Sequence, residues 1–394
     1  MLAKSKYSLK QINWFHTIIA SILLYYLPNS AYPFENKIEN ITTGEIYPHI
    51  VKKNTFTLNT RNIKVIKAGN KFLWIGTNKG LIRYDLKNEK NIQVYDNKNK
   101  LLSNGVFAIS IDKKGSPWVG TYGGGLSYFN GSYWKNYNTP DGLNDAFVYD
   151  IQLTEEKIWL ATWSGVNFSM INPKQTLKWE KFTVENSNRG LIDDWVYAVK
   201  IEESGRAWFG TESGISTYYK GKWKSFNHSN GLGASYNEVE HKNKEVMSLF
   251  KGEHHNASPS IPNIQAVDYK PDYIVSMHLD KNNHLWIGTW GGGLSLLNTK
   301  TLTFRNFTTH DGLPGNFILA IEEDNSGGLW IGTNNGLSMF NGKKFINFSR
   351  INGIQSKFIF SLETSKDHSL WIGGHKILTR LIIDPISGLP INLE

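Results

Sequence analysis

Leu329-Trp330-Ile331-Gly332-Thr333 has six near copies in the chain, and no other stretch repeats as faithfully. The copies are Leu73-Trp74-Ile75-Gly76-Thr77, Pro117-Trp118-Val119-Gly120-Thr121, Ile158-Trp159-Leu160-Ala161-Thr162, Ala207-Trp208-Phe209-Gly210-Thr211, Leu285-Trp286-Ile287-Gly288-Thr289 and Leu370-Trp371-Ile372-Gly373-Gly374. Half of the 14 tryptophans therefore occupy one repeated position. Successive members lie 44, 41, 49, 78, 44 and 41 residues apart, a period that suits arrays of four-stranded units. Seven copies predict seven units.

The sixth unit shows the pattern best, with strands expected at Phe317 to Glu322, Leu329 to Thr333, Leu337 to Phe340 and Lys344 to Phe348. Glu323-Asp324-Asn325-Ser326-Gly327-Gly328 reads as a tight connection whose glycine supplies a positive φ. Phe340-Asn341-Gly342-Lys343 carries the Asn-Gly hairpin signal. The strands are rich in Val, Ile, Tyr, Phe and Trp, as expected of sheets buried on both faces. Linear stacking would leave two faces exposed and radial closure none, so the pattern predicts an all-β, seven-bladed β-propeller of four-stranded antiparallel blades. Glu35 to Leu58 precedes the first unit and is expected to supply the outer strand of the seventh blade, with Pro390 to Leu393 as the alternative. The 78-residue spacing contains no further Trp-x-Gly-Thr and signals an insertion at 233–270, between the fourth and fifth blades. Asp141 and Asp311, each followed by Gly-Leu, read as turn-forming side chains.

With 40% apolar residues and 36 glycines in register with the repeat, the composition is that of a folded, turn-rich protein. There is no cysteine, which excludes disulfides, thiolate nucleophiles and thiolate metal sites. Lys4, Lys6 and Lys10 precede an apolar run from Ile12 to Leu27, the arrangement of an export signal spanning 1–31. The run is shorter than the roughly 20 residues needed to cross a bilayer, so a cleaved signal is expected, with an uncleaved anchor as the alternative, and a periplasmic or secreted propeller over 32–394. Removing 1–31 lowers the formal charge from +9 to +6. Lys87, Lys90, Lys98 and Lys100 alternate with acids and form no stripe, which points to solvated sheet edges and away from nucleic acid.

The units Asp311-Gly312-Leu313, Ile321-Glu322 and Leu329-Trp330-Ile331-Gly332-Thr333-Asn334-Asn335-Gly336-Leu337, with their copies, resemble the two-component regulator propeller repeat. The resemblance covers roughly residues 60 to 381. It implies seven-bladed propellers of the periplasmic sensor regions of hybrid histidine kinases, notably those responding to polysaccharide breakdown products. Those receptors usually carry two propellers, an immunoglobulin-like linker, a membrane helix and a kinase. This chain has one propeller, so a sensing role implies hand-over to another protein, such as a membrane sensor kinase.

In such a fold the second-to-third-strand links and the blade-to-blade links emerge together around the channel. The first kind carries Tyr122, Trp163, Glu212, Trp290, Asn334 and His375, and the second Asn144, Asp145, Asp194 and Trp195. Flat aromatics with carboxylates and amides suit a small-molecule or oligosaccharide ligand, the rings stacking on a pyranose face and the polar groups meeting hydroxyls. The competing reading is that the aromatics plug the channel or pack beneath the inserted loop. Asp145, Asp194 and Glu212 are the candidates for a hydrolytic carboxylate pair. Ala207-Trp208-Phe209-Gly210-Thr211-Glu212 is similar to the Trp-Phe-Thr-Glu motif of the streptogramin lyases, propellers with a His/Glu magnesium site, and this supplies the alternative reading of a lyase or glycan-active enzyme. Glu238, Glu240, His241, Glu253, His254 and His255 in the insertion match no established metal spacing and read as a polar loop, suited to a lid over the rim. No catalytic residue, metal or cofactor is assigned, and the expected protein is a binding or sensing propeller that recognises a carbohydrate-like ligand or a partner protein at one rim of its channel.

Overall fold

In the computed structural model, which describes residues 44–88, 91–171, 176–239 and 269–392, every repeated tryptophan lies on the second strand of an antiparallel sheet. The export segment 1–31 and insertion residues 240–268, with Glu240, His241, Glu253, His254 and His255, lie outside the described residues. In the sixth unit the strands are Ile318–Glu323, Leu329–Thr333, Gly336–Phe340 and Phe345–Phe348, side by side in chain order. Trp330 stands opposite Glu322 on one side and Met339 on the other.

The first and last units share a strand. Lys53–Ala68 pairs through Lys53 to Thr57 with His375–Ile382, and through Ile63 to Ala68 with Phe72–Thr77. The outer strand of the last sheet thus comes from the stretch expected to supply it. The C-terminal segment adds isolated bridges, Val51 to Asn392 and Ile383 to Pro390. Each innermost strand touches the next, through Lys53–Ala68, Val106–Ile111, Val148–Leu153, Val196–Ile201, Lys270–Leu279, Ile318–Glu323 and Ser361–Thr364. The last of these touches the first. The array is therefore a closed ring, a β-propeller, and the hydrophobic core lies between neighbouring sheets. Trp118, Leu126 and Tyr137 of one sheet, for example, pack with Val148, Ile158 and Leu160 of the next.

The repeated residues account for this geometry. In Trp-x-Gly the glycine is the seat for a β-branched residue on the next inner strand. A Cβ built on Gly332 would lie 2.7 Å from Ile359 Cγ2, one on Gly120 2.7 Å from Val148 Cγ1, and one on Gly210 2.6 Å from Ile274 Cγ2. Gly373 of the last unit meets Ile63 of the first in the same way, at 2.7 Å. The third unit has Ala161 here, buried in one cluster with Val196. The threonine that follows closes the hairpin: Thr333 Oγ1 donates to the Gly336 carbonyl at 2.9 Å, and Thr77, Thr121, Thr162, Thr211 and Thr289 do likewise to Gly80, Gly125, Gly165, Gly214 and Gly293. In the seventh copy Gly374 replaces the threonine, and Lys376 takes a φ of 62°.

Three of the buried indoles are satisfied by an acid of the preceding turn, whereas that of Trp118 has no hydrogen-bond partner among the described residues. Trp330 Nε1 donates to Asp324 Oδ2 at 2.7 Å, Trp286 to Asp280 at 3.0 Å and Trp208 to Glu202 at 2.8 Å. The other oxygen of Asp324 accepts the Ser326 and Gly328 amides, and that of Asp280 those of Asn282 and His284. One carboxylate thus both shapes the turn and pins the tryptophan. Asp141 and Asp311 are turn-formers as expected, accepting the Asn138 and Thr308 amides at 2.9 and 2.8 Å. The stretch read as an insertion lies between the strands Lys222–Phe226 and Lys270–Leu279, and its last residue, Lys270, already belongs to the second of them. Its described ends meet through the Tyr269 hydroxyl, which donates to the Ala234 carbonyl at 2.6 Å.

Two predictions follow from these contacts. Gly332→Ala forces a methyl against Ile359 and lowers stability by about 1–3 kcal/mol, whereas Ala161→Gly costs about 1 kcal/mol; urea denaturation followed by tryptophan fluorescence checks the order, and equal effects would refute the seat. Burial pushes the Asp280 carboxyl up, but hydrogen bonds from His284 and Trp286 outweigh it and hold the group below its ordinary 3.8. A depressed carboxyl contributes stability above its unfolded value and loses it as pH falls through the folded one. Wild type is therefore expected to melt higher than Asp280→Asn at about pH 6, the gap closing below pH 3.8; a gap independent of pH in thermal scans would refute this.

Candidate functional site

The two kinds of link do meet at one mouth. The Tyr122 amide donates to the Gly105 carbonyl at 2.8 Å, Trp163 to Phe147 at 3.3 Å, Glu212 to Trp195 at 3.2 Å and Asn334 to Phe317 at 3.2 Å. In each case the residue after the repeated threonine is tied to the residue ahead of its own sheet's inner strand.

Three of the four expected aromatics form one arc across successive sheets. Tyr122 meets Phe147 edge to face at 4.5 Å, Phe147 meets Trp163 at 5.0 Å, and Trp163 meets Trp195 at 5.4 Å. Tyr122 and Trp195 are 36% and 37% exposed, enough to present ring surface to a ligand. Trp290 stands elsewhere, stacked on Tyr273 at 5.8 Å and edge-on to Phe317 at 5.2 Å. Asn334 joins that group, its Oδ1 accepting the Phe317 amide at 3.3 Å.

The arc and the Trp290 group are linked by residues that the sequence reading missed. Phe107, Tyr149, Tyr197 and Tyr273 follow one another from inner strand to inner strand at 5.8, 5.0 and 4.8 Å. The Lys64 ammonium lies 5.5 Å over Phe107, at one end of this row, and at the same distance over Phe360 of the last sheet. Burial pushes the Tyr149 and Tyr197 phenols far up and Tyr273 up to about 12, so all three remain neutral hydroxyls in ordinary buffers. The register of the first four inner strands shifts at Ile63/Val65, Val106/Ala108, Val148/Asp150 and Val196/Ala198. Such a bulge re-aims the extra residue, and Lys64, Phe107, Tyr149 and Tyr197 are the residues between.

The polar candidates are mostly engaged within their loops. Asn144 Nδ2 donates to the Ser164 carbonyl at 3.0 Å. Asp145 accepts the Phe147 amide at 2.9 Å and the Ser164 hydroxyl at 2.6 Å. Asp194 accepts the Val184 amide at 2.7 Å. His375 is exposed and stands apart, Nδ1 lying 2.7 Å from Asn62 Oδ1. Glu212 Oε1 is 3.0 Å from Lys270 Nζ. Glu238 accepts the Ser235 amide and hydroxyl at 2.7 and 2.6 Å. Among the described residues no group of three His, Asp or Glu side chains is placed to hold a metal ion.

Beside Trp195 an open depression of about 730 Å³ lies between the fourth and fifth sheets, lined among others by Asp193, Glu212, Asn227, Lys270 and Asp272. Among the described residues no helix is long and apolar enough to cross a membrane.

The family model of the two component regulator propeller matches residues 268–291 and 312–335, which carry the fifth and sixth copies of the repeat. Histidine kinase P4 of Formosa agariphila is 27% identical over 195 residues, 45% of this chain and 14% of that protein. The extracellular domain of a protein assigned to a hybrid two component system of B. thetaiotaomicron superposes with a TM-score of 0.64 at 22% identity, over 83% of this chain and 40% of that one. Virginiamycin B lyase from Staphylococcus aureus superposes with a TM-score of 0.58 at 14% identity, over 84% of this chain and 98% of that one. The chain thus spans less than half the length of the sensor proteins it matches, and at these identities the structural likenesses establish fold alone. Repeat and fold agree with the resemblance carried by the Trp-x-Gly-Thr units: the chain has a β-propeller fold, and its fifth and sixth units match the two component regulator propeller model.

Proposed function

We propose that this propeller is an exported recognition module of a two-component sensory system, binding a carbohydrate-like ligand at the mouth of its channel and passing the event to a membrane sensor kinase. The observation that carries this reading is the arc of Tyr122, Phe147, Trp163 and Trp195, contributed by three successive sheets and packed edge to face. Edge-to-face packing fixes the orientation of each ring, and flat aromatic rings so held suit the stacking of a pyranose. Asn144, Asp145, Asp194, Glu212, Asn334 and His375 are the polar groups of the same proposal, and Trp290 with Tyr273 is its second stacking position. The kinase partner is supported by the relatives that carry this repeat. Export is supported by the basic and apolar segment at 1–31.

Isothermal titration against oligosaccharide pools tests the site. Binding is expected in wild type, with a loss of about 1–2 kcal/mol in Trp163→Ala and in Trp290→Ala; both variants binding as well as wild type would remove the proposed site. Turnover of the added glycan that a chelator abolishes would favour the lyase or hydrolase reading instead. Export is tested separately by fractionating the native host, where a purely cytoplasmic protein would overturn it.

A further inference from the structure

We propose that the depression between the fourth and fifth sheets takes a small molecule bearing a primary ammonium group, an amino sugar with a free amine being the fitting class. The proposal rests on the recognition reading above and narrows it for the Trp195 end of the mouth. At about 730 Å³ the depression has the size of a small-molecule site.

Its lining is unbalanced in charge. Asp193, Glu212 and Asp272 face a single cation, Lys270. Lys270 Nζ is committed to Glu212 Oε1 at 3.0 Å and leans over the Tyr273 ring at 5.8 Å, so this pair cancels locally. Asp193 has a donor on each oxygen, the Trp195 amide at 3.0 Å and the Ser213 hydroxyl at 2.5 Å. Among the described residues Glu212 Oε2 is buried with no hydrogen-bond partner, and Asp272, which has no cation at ion-pair distance, is in the same position. One of its oxygens accepts the His228 amide at 2.5 Å, and the other has no donor among the described residues. Burial pushes its carboxyl up, the mark of an anion with too little compensation, and a cation brought to it would relieve that cost.

Trp195 supplies the second element. Its ring is 37% exposed and held edge-on by Trp163 at 5.4 Å. An indole face attracts an ammonium through its quadrupole and also stacks on the apolar face of a sugar ring. A carboxylate and an indole at one depression therefore favour a sugar that is itself cationic over a neutral one. The Asn227 amide on the same wall offers a partner to a hydroxyl.

The test is titration calorimetry of the full chain with glucosamine, glucose and N-acetylglucosamine in one buffer. Glucosamine is expected to bind about tenfold or more tighter than either neutral sugar. Asp272→Asn keeps an oxygen for the His228 amide and is expected to lose about tenfold for glucosamine, with little change for neutral sugars and an unaltered melting point. Trp195→Leu is expected to weaken all three. Equal binding of the three sugars, or glucosamine binding unmoved by Asp272→Asn, overturns the ammonium proposal and leaves the recognition reading standing. Selective glucosamine binding with no response to neutral oligosaccharides or to Trp163→Ala supports the proposal and overturns the neutral-glycan reading. No glucosamine binding at tens of millimolar overturns the ammonium proposal outright.

Discussion

The propeller depends on one steric constraint, the fit of a β-branched side chain onto a position in the sheet before it that carries no Cβ, or in the third sheet only the methyl of Ala161. Two sheets packed face to face ordinarily stand about 10 Å apart. Around a narrow channel the inner strands converge, and a side chain on both sides would hold them open. Glycine on one side with Val or Ile on the other lets the strands close while still burying apolar surface. The contact recurs from Gly76 with Val106 to Gly373 with Ile63, so the same local rule that sets the pitch also closes the ring.

Polar groups then fix what the seats bring together. Tryptophan cannot be buried with its N–H unpaired except at a cost of about 1–3 kcal/mol, and the acid six residues earlier removes that cost in several units. Across the closing seam Lys67 and Glu363 pair at 2.5 Å, and Glu363 also accepts the Ala68 amide at 2.9 Å. A buried pair contributes little net stability, but one that spans the seam favours this register over others. With the scaffold so determined, the links are free to differ, and the differences converge on one mouth.

The tryptophan spacing made the ring legible in the sequence, along with the insertion and the links that reach the mouth. It also located Tyr122, Trp163 and Trp195, which do form one surface. The collar of Phe107, Tyr149, Tyr197 and Tyr273 was not legible, because it depends on an extra residue in each inner strand and a bulge leaves no single-letter sign. An aromatic residue recurring between Val and Ala or Asp, as in Val106-Phe107-Ala108 and Val148-Tyr149-Asp150, is the signal that was available. His375 stands apart because Gly374 interrupts the Thr-Gly hairpin of its unit. Lys270 and Asp272 follow the insertion, have no counterpart in the repeat, and so could be placed only by the fold.

The strand Lys53–Ala68 has a kinetic consequence. Thr57 pairs with Ile377, so a strand that is synthesised early waits for a partner from the far side of the repeat array. At translation rates of roughly 5–20 residues per second the wait is on the order of tens of seconds, during which the row of sheets has two bare ends. Joining those ends closes the whole ring of sheets at once, yet the entropy of closing a flexible loop grows only with the logarithm of its length. Ring closure is therefore slow to become available and cheap to complete, and a chain cut short before its last sheet would keep a sticky edge at either end.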